Sequence, residues 1–381
     1  MAATNVRLLA ALLAALLLSS IAHAAVLPEE RADAMYHRYD GGGMVIDGPS
    51  VLVRKNFAET FSVAANYYVD SVSSASIDVL TSGASEYTEE RTEKSIDFTY
   101  LHGKSLINLG YTGSDENDYE ATSFRFDISQ DFFGDMTTLS LGYSQGNDDI
   151  TQTGNDAFSD ELERRHYRFG VAQIISRTLV ANLNYESIID EGYLQNPYRF
   201  ILVETGSGYN LAQEAYPRTR NSDAISLKLA WHTPLSSALK MRLGYFDDSW
   251  GINAYSIEFD YTHAISPQLL LDLRLRGYTQ SEADFYANSF NATTAQQNFL
   301  GRDKELSQYD SYSIGIGASY NWMLPGRLER LSANVQLDWM LFDYENFREV
   351  TNETTQRYGV GNEPLYEFDA YALRVFLSLF Y

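Results

Sequence analysis

Charged side chains recur at every second position in several segments of this chain, and that spacing is its main chemical signal. Asp272, Arg274 and Arg276 form one series, and Arg164, His166 and Arg168 another. Arg125 and Asp127, Lys240 and Arg242, and Glu258 and Asp260 repeat the interval. Successive side chains of an extended strand point to opposite faces, so residues two apart share one face. The intervening residues are mostly apolar, so one face of each segment needs water and the other an apolar surround. Rings of such charges around a water-filled lumen would orient charged solutes. The same residues would equally serve a closed salt-bridge network that fills the lumen. The candidates for electrostatic selection are Arg125, Arg168, Arg242, Arg274, Asp260 and Asp272, near the middles of facing strands. Asp70, Asp97, Asp127, Arg164, His166, Glu186, Lys228, Lys240, Glu258, Arg276, Asp338 and Arg374 complete the inward set.

Other chemistries find little support. The chain has no cysteine, which excludes thiolate metal sites, disulfides and c-type haem attachment. Five histidines lie beyond residue 24, at 37, 102, 166, 232 and 263. None stands in a His-Glu-x-x-His arrangement, and there is no Gly-x-Ser-x-Gly elbow or phosphate-cradling glycine loop. His102 and His232 fall at predicted turns. The acidic segments Asp115–Asp118 and Asn147–Asp149 carry oxygen ligands but not the spacing of a calcium-binding hand, and are read as solvated turns. No metal, cofactor or enzymatic activity is expected; an envelope hydrolase with scattered residues is the alternative. The formal charge of −23, from 28 basic and 51 acidic residues, disfavours nucleic acid as a partner.

The positioning elements are strands. Alternation persists in segments of about ten residues, the length that crosses a bilayer at a tilt. Aromatics make up 14% of the chain, with 28 tyrosines, at a mean hydropathy of only −0.28. Spanning barrels combine these properties because only every second residue meets lipid. Turning Arg274 and Arg276 towards lipid at mid-membrane would cost roughly 2–4 kcal/mol each, so the leucine face is expected outside. The fold expected is an all-β, transmembrane, antiparallel up-and-down barrel of about 16 strands, with 14 as the alternative. Sixteen strands are too wide to be filled by side chains alone, which favours a wet lumen.

Short turns follow Lys55, His102, Gln130, Ile175, His232, Ala264 and Trp322. Long polar connections near 72–90, 145–163, 188–220, 280–308 and 345–365 belong on the outer side. Met44–Lys55 then runs inward, preceded by an outward segment, Ala34–Asp40, with a hairpin at Gly41–Gly43. Pro49 after Gly48 predicts a bulge and a parity change.

The ends indicate an address. Arg7, the apolar run Leu8–Leu18 and Ala22–Ala24 read as a secretory signal cleaved after residue 24, leaving 25–381 as a single barrel domain. Arg374–Tyr381 alternates, with Leu377, Leu379 and Tyr381 on the apolar face. It resembles the C-terminal insertion signal of bacterial outer-membrane barrels, which implies outer-membrane lipid and the assembly machinery as partners.

Six ordered segments, Tyr36–Gly43, Asp47–Lys55, Asn196–Arg199, Tyr216–Arg220, Tyr278–Gln280 and Arg302–Ser307, together resemble a bacterial family of outer-membrane barrels catalogued as a domain of unknown function. The resemblance implies the barrel and no catalytic residue. Its members' association with small lipoproteins and flavin-attaching or thioredoxin-like periplasmic proteins implies a second role, a scaffold or sleeve for such a partner. Arg302–Glu305 reads either as a charge-alternating pairing segment or as a loop folded in to narrow a pore. The expected function is a porin-like channel for small polar or charged solutes.

Overall fold

The computed structural model describes residues 25–381 apart from 75, 78–80 and 82–86. The expected leader lies outside the described residues. β1 (Arg31–Gly41) and β2 (Met44–Phe57) form the first hairpin. They are followed by β3 (Phe61–Ser74), β4 (Tyr87–His102), β5 (Ser105–Asp115), β6 (Tyr119–Phe132), β7 (Thr137–Thr151), β8 (Ser159–Ser176) and β9 (Leu179–Gly192). A short hairpin, β10 (Phe200–Glu204) and β11 (Tyr209–Gln213), interrupts the series. β12 (Thr219–Thr233), β13 (Ser237–Asp248), β14 (Asn253–Ala264), β15 (Leu269–Gln280), β16 (Tyr309–Met323), β17 (Arg330–Arg348) and β18 (Leu365–Phe380) complete it.

Sixteen of these strands close a barrel in which β18 pairs with β1 and β12 with β9. Every neighbouring pair is antiparallel, so all turns at one end are short and the long connections gather at the other. Closure leaves no free sheet edge, the condition for crossing a bilayer with strands. This is a transmembrane barrel of the outer-membrane type.

Register fixes which face is which. Leu273, Leu275, Ile314, Ile316 and Leu337 alternate along β15–β17 and remain exposed on the outer surface, between 38% and 59%. A soluble protein would not tolerate so continuous an apolar girdle; lipid covers it. Replacing Leu273 by Arg should therefore destabilise the barrel by about 2–4 kcal/mol. Urea titration of the protein folded in lipid vesicles measures this, and an unchanged midpoint would place Leu273 away from the hydrocarbon.

Three sequence expectations are corrected. Pro49 introduces no parity change: Asp47 pairs with Ser71 and Ser50 with Tyr68, the same register on both sides. Two ladder positions are lost and none inserted, because Gly48 lies so close to β3 that a Cβ would stand 1.9 Å from the Val69 carbonyl. The connection expected at 145–163 shrinks to 152–158, since β7 and β8 continue as paired strands; Asn147–Asp149 is strand and not turn. The connections at 188–220 and 345–365 contain structure, the β10–β11 hairpin and helix α1 (Asn352–Tyr358). α1 begins on Thr351, whose side chain accepts from the Thr354 N–H in a capping box.

Candidate functional site

The inward wall repeats one arrangement on sets of three neighbouring strands. Asp97 on β4 and Arg125 on β6 both stand opposite Gly110 of β5, and the guanidinium reaches the carboxylate over the glycine. Asp127 on β6 and Arg168 on β8 pair over Gly142 of β7 at 2.7 Å. Arg274 on β15 and Asp338 on β17 pair over Gly315 of β16 at 2.9 Å. A Cβ at Gly142 would stand 2.3 Å from Asp127 Oδ1 and 2.7 Å from Arg168 Nε. At Gly315 it would stand 2.0 Å from Asp338 Oδ1. Each ion pair fills the space of a missing side chain and so lies against the wall instead of projecting across the lumen.

The bridges are linked. Arg125 also approaches Asp127, at 3.3 Å, and Asp338 takes Arg374 as well, at 3.0 Å. Glu258 on β14 receives Arg242 from β13 at 3.1 Å and Arg276 from β15 at 3.4 Å. The side chains of Arg125, Arg242 and Arg374 remain 44%, 47% and 41% exposed although they face the lumen. Water therefore reaches the interior at these levels. At that exposure each pair is worth at most about 1 kcal/mol, so the bridges order side chains more than they stabilise the barrel.

The six residues chosen from sequence all face inwards by register but do not form one cluster. Arg125, Arg168, Arg242 and Arg274 are each bridged, as described. Asp272 accepts a hydrogen bond from Thr262 at 2.5 Å. Asp260 stands opposite Lys240 and Arg274 without an ion pair to either within 4 Å. Lys228 and Lys240, part of the inventory but not among the six, likewise have no acidic partner among the described residues. Leu377 is exposed on the outer face, and Tyr381 donates to the Arg54 carbonyl at 3.0 Å across the closing seam.

Charge is distributed unevenly around the ring. Asp70, Glu89, Glu93, Asp97, Asp127, Asp131 and Asp148 face inwards from β3–β7, against Arg91 and Arg125. Across the lumen, β12–β15 carry Lys228, Lys240, Arg242, Arg274 and Arg276 against Glu258, Asp260 and Asp272, besides an Arg220–Asp248 pair at the loop end. β5 and β15 stand eight places apart in the ring of sixteen. An acidic wall thus faces a basic one.

Sequence reasoning missed the pairing of His37. It stands opposite Gly48, and its Nε2 lies 2.7 Å from Asp70 on β3 and 3.1 Å from the Tyr68 hydroxyl. The imidazole also stacks on the Tyr68 ring, centroids 4.9 Å apart. The glycine in the intervening strand was the available signal.

The loop end is covered by a folded lid. The β10–β11 hairpin buries Ile201 against Phe290 and Leu300 of the β15–β16 connection, and Leu202 beside it is buried as well. Burying side chains of this size is worth about 1.5–3 kcal/mol each. Backbone bonds join the two connections: Phe290 N–H to Leu202 O at 2.7 Å, Glu204 N–H to Phe290 O at 2.7 Å, and Ala215 N–H to Leu300 O at 2.9 Å. Arg199 pairs with Asp303. Arg302, only 3% exposed, donates to the carbonyls of Asn288 at 3.0 Å and Arg348 at 3.1 Å and lies 4.5 Å over the Phe347 ring. Its backbone N–H donates to Glu214 at 2.7 Å. Three of the sequence segments singled out for their family resemblance, around Arg199, Tyr216 and Arg302, therefore meet in this lid.

The lid reaches both sides of the mouth. Tyr198 donates to Asp118 in the β5–β6 turn and accepts from Thr153 N–H at 2.7 Å in the β7–β8 turn. Tyr209 donates to Glu363, next to β18, at 2.9 Å. Burial, with the Glu363 carboxylate beside it, pushes the Tyr209 phenol up to about 12 against the Gly361 N–H, so it remains a donor at physiological pH. Beneath the lid, Phe285 and Leu306 of the same connection pack on inward-facing aromatics including Tyr309, Phe342, Tyr344 and Phe368. Arg302–Glu305 is thus folded in and not paired across strands.

Among the described residues no group of acidic or histidine side chains is arranged to hold a metal ion. Residues 79–168 and 158–338 match the model of a family described as "Protein of unknown function (DUF3570)". No curated protein sequence matches the chain. Among solved structures it is similar to a bacterial polysaccharide outer membrane secretin, at 8% identity and a TM-score of 0.50, over 93% of this chain and 100% of that one. It is also similar to the siderophore receptor PirA from Pseudomonas aeruginosa, at 9% identity and a TM-score of 0.44, over 84% of this chain and 60% of that one. A third is OccK2 from Pseudomonas aeruginosa in complex with glucuronate, at 9% identity and a TM-score of 0.42, over 93% and 99%. The chain spans less than two thirds of the siderophore receptors it matches. At these identities the likeness concerns the fold alone.

Proposed function

The chain belongs to the DUF3570 family of proteins of unknown function, and we propose that it is an outer-membrane channel for small polar or charged solutes, narrowed at one mouth by a folded lid. The reading rests on one observation: an acidic wall faces a basic wall across an interior that water reaches. Opposed charges set up a transverse field that orients a dipolar or charged solute during passage. Bridges held over Gly110, Gly142 and Gly315 keep the arginines out of its path. In this reading the lid lies on the outer side, since long connections of exported barrels lie outside. Leu377, Leu379 and Tyr381 serve as the insertion signal read by the assembly machinery, and residues 1–24 direct export. The chain is read as a non-enzyme.

Planar-bilayer recording of the refolded chain tests this. Stepwise openings, with a reversal potential displaced from zero in a salt gradient, are expected. A demonstrably folded barrel that stays silent both intact and with its lid removed would sink the channel reading. The covered mouth favours a second reading, a sleeve that holds a periplasmic redox protein or lipoprotein. A stoichiometric partner purified with it from native membranes would support that instead.

A further inference from the structure

At Lys228 and Lys240 the lumen wall carries positive charge with no ion pair among the described residues, as it also does at Arg54, which stands opposite Arg31. Lys228 on β12 stands directly opposite Arg242 on β13, and Lys240 is its diagonal neighbour two residues along. Like charges directly opposite across a ladder repel. Arg242 is compensated by Glu258, but neither lysine has a carboxylate within 4 Å among the described residues. The inward arginines Arg125, Arg168, Arg242, Arg274, Arg276 and Arg374, by contrast, are all bridged. The lysines are half-buried and face the lumen. On the β9 side, Lys228 is flanked by Asn182, and Ser226 lies two residues along the same face.

We infer that Lys228 and Lys240 form a binding station for a singly charged carboxylate that also carries hydroxyl groups. The inference rests on the channel reading and names its solute class. A carboxylate placed between the two ammonium groups relieves their mutual repulsion and that with Arg242. Asn182 and Ser226 offer donors and acceptors to hydroxyls. The neighbouring acids Glu258 and Asp260 repel a second negative charge, which selects against dianions. Lysine suits the task because its ammonium is a compact, strongly hydrated charge that binds a carboxylate without the two-pronged grip of arginine. Transit requires a site weak enough to leave.

The test measures binding and does not depend on conduction. The lysines of the folded barrel are reductively methylated with carbon-13, which keeps their charge, and the signals of Lys228 and Lys240 are assigned through K228R and K240R. Titration with sodium glycerate should move these two signals along a saturable curve, while those of Lys55, Lys104 and Lys304 change little. Glycerol, with the same hydroxyls and no carboxylate, should move none. A saturable response lost in K228Q/K240Q supports the station even if the barrel proves silent in bilayers. Equal drift of all lysines, or a response to glycerol of the same size, overturns it even if the barrel conducts. In a conducting barrel, K228Q/K240Q should also shift the anion-to-cation permeability ratio several-fold towards cations, and an unchanged ratio counts against the station.

Discussion

Excision of the β10–β11 hairpin should raise single-channel conductance several-fold. The excision is geometrically mild: Gln213 donates to the Pro197 carbonyl at 3.2 Å, so a short Gly-Ser link can join Pro197 to Glu214. Barrel strands lose no ladder partner, because β12 pairs with β9 and the hairpin pairs only with itself and the β15–β16 connection. Refolding yield and urea midpoint should accordingly stay near those of the intact chain. Arg302→Met is the point-mutation counterpart. Losing the donor to two buried carbonyls costs about 1–3 kcal/mol for each acceptor left unsatisfied, against the burial of Ile201, Leu202 and Phe290 that remains. The lid should therefore open part of the time, giving conductance between the intact and excised forms with added flicker. Equal conductance in all three forms would show that the lid does not limit flow.

The barrel was legible because its physics is local. Each strand needs lipid on one side and water on the other, so alternation alone reports strand, face and register parity, as in Leu269–Arg276. The lid was not legible for the same reason. Ile201 and Leu202 are adjacent and both buried, so β10 shows no alternation, and it is only five residues long. α1, Asn-Glu-Thr-Thr-Gln-Arg-Tyr, has no apolar face and depends on its cap. The bridges required knowledge of which residues stand two strands apart. The residues read as inward do face inwards, but Glu89, Arg91, Glu93, Asp131 and Asp148 escape that reading. Of its two alternatives for Arg125, Arg168, Arg242 and Arg274, free charges or a bridged network, the second holds, and all four are bridged. Glycines on the inward face, such as Gly315 opposite Arg274, carried the missing information.

Two substitutions around one bridge separate net charge from its placement. Asp338→Asn removes the carboxylate shared by Arg274 and Arg374, leaves two cations uncompensated, and should shift the reversal potential towards anions several-fold in permeability ratio. Gly315→Val changes no charge. Its Cβ falls on the Asp338 carboxylate, at 2.0 Å, and 3.4 Å from Arg274 Nε, so carboxylate and guanidinium must leave the wall and project into the lumen. Both pairs are partly exposed and worth at most about 1 kcal/mol, so the barrel should fold in either case. If selectivity followed net charge alone, Gly315→Val would leave the reversal potential where it was. If the wall-held geometry matters, it should lower conductance, because displaced side chains narrow the path. The anion preference should also rise, though less than in Asp338→Asn, because the carboxylate is still present. Normal conductance and reversal potential in a folded Gly315→Val barrel would mean that the bridge over this glycine does not shape the conducting path.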